Sequence, residues 1–522
     1  MSAMYDPCYT CRRRRIQCDR TSIPCAKCEK SGLECFEKRP LRWVNGVAFR
    51  GKMQGVLFED VSSTAVAKVE TTSVRTGRAP IKSSVKRLEP MTVSHIERND
   101  AFDGPPLSLP LVLEDHSVSM LDRTSRYYLD YYNERICNLF IVYDSDKNPF
   151  RSLISLALSD SILLKAILAL AARHHANTGR SFHQSVAATS PGLHRDALFF
   201  KHQAMKGLVH ALNDTTLCRQ DTTVASIFLL IFLDLLESGS DKWNLHLEGA
   251  KTLIALNQPP SESQAAIKQD PGRTVQQIRT FITRQIYLIE TLGATFVRPR
   301  LLSQFISPDR SGMPLQEIVE ESFLGCPEYL LNAIQYISLQ RDVIAGLEPL
   351  DYAAINYHIQ DITTVLESIQ NFDCYIWASS LPQPHQSLKR DINNLCILSQ
   401  SYKTGALIYG RRVLDALTKD VTSQDGLVCE LIGLIGTLKD DKSLLKCILW
   451  PIFVAGLECR CIAERDFLTG CLEKFWVDTN CLNVINAARI LQTYWQQGDR
   501  QQPFSSQWIF SIGRLGRDWL LI

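Results

Sequence analysis

Six cysteines crowd the first 35 residues as Cys8-x2-Cys11-x6-Cys18 and Cys25-x2-Cys28-x6-Cys35, the second unit repeating the first at an offset of 17. The other eleven of the chain's 17 cysteines are scattered between Cys137 and Cys481. Clustered thiols at such spacing suit a soft metal, and zinc takes four thiolates in a tetrahedron. Two units invite two zinc ions, which ask for eight thiolate positions from six cysteines, so two must be shared. The symmetric solution makes Cys8 and Cys25 the bridges. Cys11 and Cys18 then complete one ion, and Cys28 and Cys35 the other. So short a segment has almost no apolar core, and metal binding supplies most of its folding free energy.

Arg12, Arg13, Arg14 and Arg15 run consecutively inside the first metal loop, where a short helix is expected to begin after Cys11. The six thiolates leave two zinc ions with a formal surplus of negative charge, which these cations offset. A zinc knuckle that staples the N-terminus, or a zinc module that docks onto a protein, is the other reading of the cysteines. The arginine run favours double-stranded DNA as the partner. A guanidinium donates two hydrogen bonds to guanine O6 and N7, worth about 1 to 3 kcal/mol of discrimination.

The cysteine spacing, the string Cys11-Arg12-Arg13-Arg14-Arg15-Ile16-Gln17-Cys18-Asp19 and Pro24 before Cys25 resemble the fungal binuclear zinc cluster family. Gln17 departs from it, since a lysine is usual there. The resemblance implies that the short helix of the first unit enters the major groove and reads a CGG-type triplet. Arg14 and Arg15 stand at the base-reading positions. Arg12, Arg13, Lys27 and Lys30 are then assigned to phosphates, which position a module without specifying sequence.

The elements that must carry this module follow from charge and periodicity. Residues 1–98 hold 19 Lys or Arg against 10 Asp or Glu, within a whole chain of 57 against 55, so the basic end is the nucleic-acid end. Residues 38–115 lack sustained helical or strand period and read as a flexible basic linker, with Arg75, Arg78, Lys82, Lys86 and Arg87 as a loose basic stretch. No apolar heptad persists there, so the sequence leaves the oligomeric state open. Residues 40–55 are similar to regulators of acriflavine sensitivity.

From residue 116 to 522 the pattern is all-α. Asp122 and Thr124 are candidate caps, and Asn148-Pro149-Phe150 breaks the chain before the next helix. Residues 159–173 and 224–236 are apolar on nearly every face and are expected as buried core helices. Further helices are expected near residues 194–213, 242–257, 272–292, 351–371, 386–418, 443–465, 480–497 and 506–520. The strings around Asn148 and Trp243-x2-His246-x2-Gly249-Ala250 resemble the fungal-specific transcription factor domain. On a helix Trp243, His246 and Gly249 to Ala250 share a face, where a small residue admits a neighbouring helix. His174 and His175 are adjacent, point to different sides of a helix and read as surface or cap residues.

The expected architecture is therefore a small zinc-organised N-terminal module (1–37) and a large all-α regulatory domain (116–522) joined by a flexible linker (38–115). No secretory signal opens the chain, the apolar run over residues 224–233 is short of a membrane span, and no catalytic motif stands out. The expected function is nuclear, zinc-dependent regulation of RNA polymerase II transcription in a specialised pathway such as secondary-metabolite biosynthesis or drug tolerance. Expected partners are double-stranded DNA, the transcription machinery or co-regulators, and a small-molecule effector held between helices.

Overall fold

The computed structural model describes residues 7–19, 24–32, 35, 118, 120–183, 191–240, 242–257, 273–299, 302, 322–346, 352–381, 391–498, 508–512 and 518–522. The linker expected over 38–115, with its basic stretch, lies outside them. The chain divides into two units, Met1–Gly104 and Pro105–Ile522. In the first, two short helices, α1 (Tyr9–Arg14) and α2 (Ala26–Lys30), each begin one residue after the first cysteine of a C-x2-C unit.

The second unit is helical because its apolar residues recur with helical period and its caps punctuate them. α3 (Arg123–Tyr131) starts where the Asp122 carboxylate accepts the Thr124 and Ser125 N–H groups at 2.9 and 3.0 Å. A π turn (Tyr132–Ile136) follows it. Asn148 caps α4 (Pro149–Ala157) by accepting the Phe150 N–H at 2.9 Å, with Pro149 at the first helical position. Asp160 caps α5 (Ser161–Asn177). α6 (Pro191–Asn213), α7 (Asp221–Glu237), α8 (Trp243–Asn257) and α9 (Arg273–Ala294) complete the first half. α5 lies against α3, α6 and α7, so it is sheathed on all sides. Every residue of α7 from Thr223 to Leu236 is buried, as its all-round hydrophobicity requires.

The second half winds around α13 (Ile392–Thr418), which contacts α10 (Glu328–Ala345), α11 (Tyr352–Asn371) and α12 (Cys374–Ser380). It then meets α14 (Asp425–Leu438) and, after the short α15 (Lys442–Leu445), α16 (Leu449–Glu458), whose ten residues are all buried. α17 (Ile462–Thr479), α18 (Leu482–Gly498) and α19 (Trp508–Ser511) close the chain, and α18 packs back onto α7. One continuous apolar core runs from Tyr128 to Ile522. Among the described residues there is no strand, only an antiparallel bridge between Ser240 and Trp519.

Several expected elements change. The helix expected over 443–465 is three helices, because Asp441 caps α15 and the chain turns again before α16 and after it. α10, α12 and α14 carry no separate expectation, and within the stretch expected as a helix over 506–520 the described residues hold α19 and, at Trp519, an isolated bridge. His174 is no surface residue: it is 6% exposed, accepts the Tyr131 hydroxyl at Nδ1 (2.8 Å) and meets the Thr479 carbonyl at Nε2 (3.1 Å).

The Trp243 face is a core contact, but Gly249 admits nothing, since a Cβ there meets no atom within 4 Å. The close approach belongs to Gly293 on α9, where a Cβ would stand 2.8 Å from Trp243 Cη2. No helix among the described residues is long and apolar enough to cross a membrane.

Candidate metal centre and nucleic-acid interface

The two cysteine units fold alike because each places its first thiol at a helix start. The Cys8 sulfur accepts the Cys11 N–H at 3.3 Å, which fills one of the donors a helix N-terminus leaves free. Cys25 occupies the same place before α2. The Asp19 carboxylate, just after the first unit, accepts the Ala26 N–H at 3.2 Å and so ties the first unit to the start of the second. The Cys35 sulfur closes the second unit on itself, accepting the Cys25 N–H at 3.5 Å.

These helices bring the six sulfurs into two groups of four, Cys8 with Cys11, Cys18 and Cys25, and Cys8 with Cys25, Cys28 and Cys35. Within each group the sulfurs lie within 4.8 Å of one another. The Cys8–Cys25, Cys8–Cys28 and Cys11–Cys25 separations are 3.8, 3.8 and 3.7 Å. A disulfide is about 2 Å long, whereas zinc–sulfur bonds of about 2.3 Å in a tetrahedron set sulfurs about 3.8 Å apart. Cys11 and Cys28 are also 3.8 Å apart, although they share no group. Cys8 and Cys25 are the two members common to both groups, as ligand arithmetic requires.

Electrostatics single out the same pair. The Cys25 thiol lies below its ordinary value, because the Cys28 N–H favours the thiolate more than burial opposes it. At Cys8 burial works against ionisation, yet the Cys11 N–H and thiol hydrogen bonds bring its value down as well. Burial and the surrounding sulfurs push Cys28 up to about 12 and raise Cys11. Cys35 is raised although the Cys25 N–H favours its thiolate, because burial and the Cys8 and Cys25 thiols prevail. So many thiols at such distances ionise together only around cations, which is the condition a pair of zinc ions meets. Among the described residues no other group of three or more metal-ligating side chains occurs.

The basic residues sit on the outside of this knot. α1 starts at Tyr9, earlier than expected, because Cys8 itself caps it, so Arg12, Arg13 and Arg14 fall in its last turn. Arg15 closes the helix in the left-handed region at φ 56°, its N–H reaching the Arg12 and Cys11 carbonyls. Arg12 to Arg15, Lys27 and Lys30 are all exposed, and none forms an ion pair with a described residue. α1 winds through about 100° per residue, so successive arginines leave it in different directions.

The family models decide what this arrangement belongs to. The fungal Zn(2)-Cys(6) binuclear cluster domain matches residues 6–43, and the fungal specific transcription factor domain matches residues 127–522. The chain belongs to the fungal Zn(2)-Cys(6) transcription factors. Like the others it binds two zinc ions through six cysteines, binds DNA and regulates transcription. Among curated relatives, the acriflavine sensitivity control protein acr-2 of Neurospora crassa is 23% identical over 585 residues, covering 94% of this chain and 93% of the relative. The transcriptional regulatory protein pro1 of Neurospora crassa is 51% identical over 43 residues, 8% of this chain and 6% of the relative. No solved structure matches the chain.

The residues missed from sequence are those of backbone geometry. Asp19 stands in the string that carries the resemblance, but its bond to Ala26 depends on how the units fold together. The offset of 17 does pair Arg15 with Gly32, and Gly32 is also left-handed, at φ 61°.

Proposed function

We propose that this zinc-cluster factor is a nuclear, sequence-specific regulator of RNA polymerase II transcription that reads a CGG-type triplet through the C-terminal turn of α1. In this reading Arg14 and Arg15 donate to guanine O6 and N7, and Arg12, Arg13, Lys27 and Lys30 hold phosphates. Cys8 and Cys25 bridge the two ions, Cys11 and Cys18 complete one, and Cys28 and Cys35 the other. Residues 1–37 bind DNA, 38–115 connect, and 116–522 regulate in response to co-regulators or an effector. The observation that carries the reading is the pair of four-sulfur groups lying behind exposed Arg12 to Arg15. The relative that controls acriflavine sensitivity points to drug tolerance as the regulated pathway.

Selection of duplexes from a random pool by the full zinc-loaded chain tests it. Enrichment of CGG-containing sequences, lost with chelator, is the expected result. Zinc-loaded protein that enriches no sequence favours the alternative, a protein-docking adaptor.

A further inference from the structure

The C-terminal end of α11, the turn into α12 and the first turn of α10 border a shallow, wide-open cleft of about 660 Å3. Its walls are Tyr329, Phe372, Ile376 and Trp377, and its polar groups are Asn371, Asp373 and Ser368, whose hydroxyl donates to the Val365 carbonyl at 2.7 Å. The Tyr329 and Phe372 rings are parallel, 5.0 Å between centroids and 7° between planes. Asp373 is locked at the lip because one carboxylate oxygen, Oδ1, accepts both the Tyr375 and the Ile376 N–H at 2.9 Å. The second oxygen has no partner among the described residues, nor has the Asn371 amide or the Tyr329 hydroxyl. The Lys403 ammonium is turned onto the Phe372 carbonyl at 3.0 Å, so it is engaged with backbone.

We infer that this cleft binds a flat aromatic cation, stacked on the exposed aromatic face and held by the free oxygen of Asp373. Aromatic faces carry negative potential and attract cations, more strongly where part of the hydration is lost. A fixed carboxylate beside such faces adds direction, because its helix-capping bonds hold it in place before any ligand arrives. The class follows from the lining: aromatic area for a planar body, and acceptors but no uncommitted cation for its charged nitrogen. A neutral planar ligand gains the stacking alone. The site lies wholly in the helical domain and does not depend on how the zinc module reads DNA.

The test uses the full chain, free of DNA, titrated by fluorescence with 9-aminoacridine, a planar cation at neutral pH, and with acridine, its largely neutral counterpart. The expected result is saturable one-to-one binding of 9-aminoacridine and binding of acridine about tenfold weaker. Asp373→Asn keeps the helix cap, since asparagine caps as well as aspartate, and is expected to remove the preference for the cation. Phe372→Ala is expected to weaken both ligands. Circular dichroism matched to wild type confirms that each variant folds. Absence of saturable binding, or affinities that neither Asp373→Asn nor Phe372→Ala alters, would overturn the inference. So would equal binding of acridine and 9-aminoacridine by the wild-type chain.

Discussion

Arg15 and Gly32 hold the same left-handed backbone, at φ 56° and φ 61°, at equivalent positions of the two cysteine units. Glycine reaches that conformation freely, whereas a residue with a Cβ is held there at a cost of about 1 kcal/mol or more. The second unit has the inexpensive residue and the first has an arginine. The cluster tolerates the strain because the flanking cysteines fix the chain, and what the arginine adds is its exposed guanidinium. Arg15→Gly should therefore leave zinc binding intact or slightly stronger, while relaxing base preference. Arg15→Ala should lose the same preference and keep the strain. Zinc competition and sequence selection on both variants check this, and a glycine variant with unchanged specificity would remove Arg15 from base reading.

Phosphate contacts have a different signature. Lys27→Ala should weaken binding to all duplexes alike and reduce the slope of log affinity against log salt by about 1. Affinity measured across a salt series on matched and mismatched duplexes shows it. A Lys27→Ala variant whose preference changes as much as that of Arg15→Gly would contradict the division.

In the proposed arrangement, sharing at Cys8 and Cys25 gives the cysteines unequal weight. Cys18→Ser should retain roughly one zinc per chain, since the second group of four keeps all its sulfurs. Cys8→Ser should lose both, because it removes a ligand from each group. Metal content of the purified chains, measured by mass spectrometry, discriminates the two. Chelation should abolish DNA binding but leave most of the helical signal, which comes from the separate unit over Pro105–Ile522.

Two buried histidines should each contribute a loss of stability to the helical domain in mild acid. Burial is the main cause that lowers His174 to about 4 from an ordinary 6.5, and His246 likewise to about 4. A histidine depressed in the fold protonates first in the unfolded chain. The histidines' contribution is thus complete above pH 6.5, falls as pH drops toward 4, and levels off below that, while Asp234 and Glu290, which burial raises to about 7, take up protons first in the folded chain and contribute in the opposite sense over the same range. For His174 the loss is up to about 3 kcal/mol. Denaturant titrations between those limits should show His174→Gln losing less stability toward acid than wild type does, by up to the His174 contribution.

The glycines around Trp243 separate open from closed space. Gly249→Ala should stabilise by about 0.5 to 1 kcal/mol, as alanine does in a helix interior with room for its methyl. Gly293→Ala should destabilise by about 1 to 3 kcal/mol, because its Cβ would meet Trp243 at 2.8 Å and Leu520 at 3.1 Å. Thermal melts of the two variants should move in opposite directions.

What the sequence determined by itself was whatever local spacing dictates. Ligand count and tetrahedral coordination force two shared thiolates before any coordinates, and the grouping of the sulfurs makes Cys8 and Cys25 the shared pair. The Asp122 cap, the chain break at Asn148-Pro149 and helices as apolar as α7 are equally local, since their signals lie within a few residues. The tertiary structure decided what depends on distant partners. His174 is buried because Tyr131 and Thr479, far apart in the chain, meet it on both ring nitrogens. Gly293 rather than Gly249 admits Trp243 because only helix packing sets which face comes close. The aromatic cleft likewise exists only once α10 brings Tyr329 beside Phe372. Such contacts have no sequence period, because the residues that make them belong to different helices.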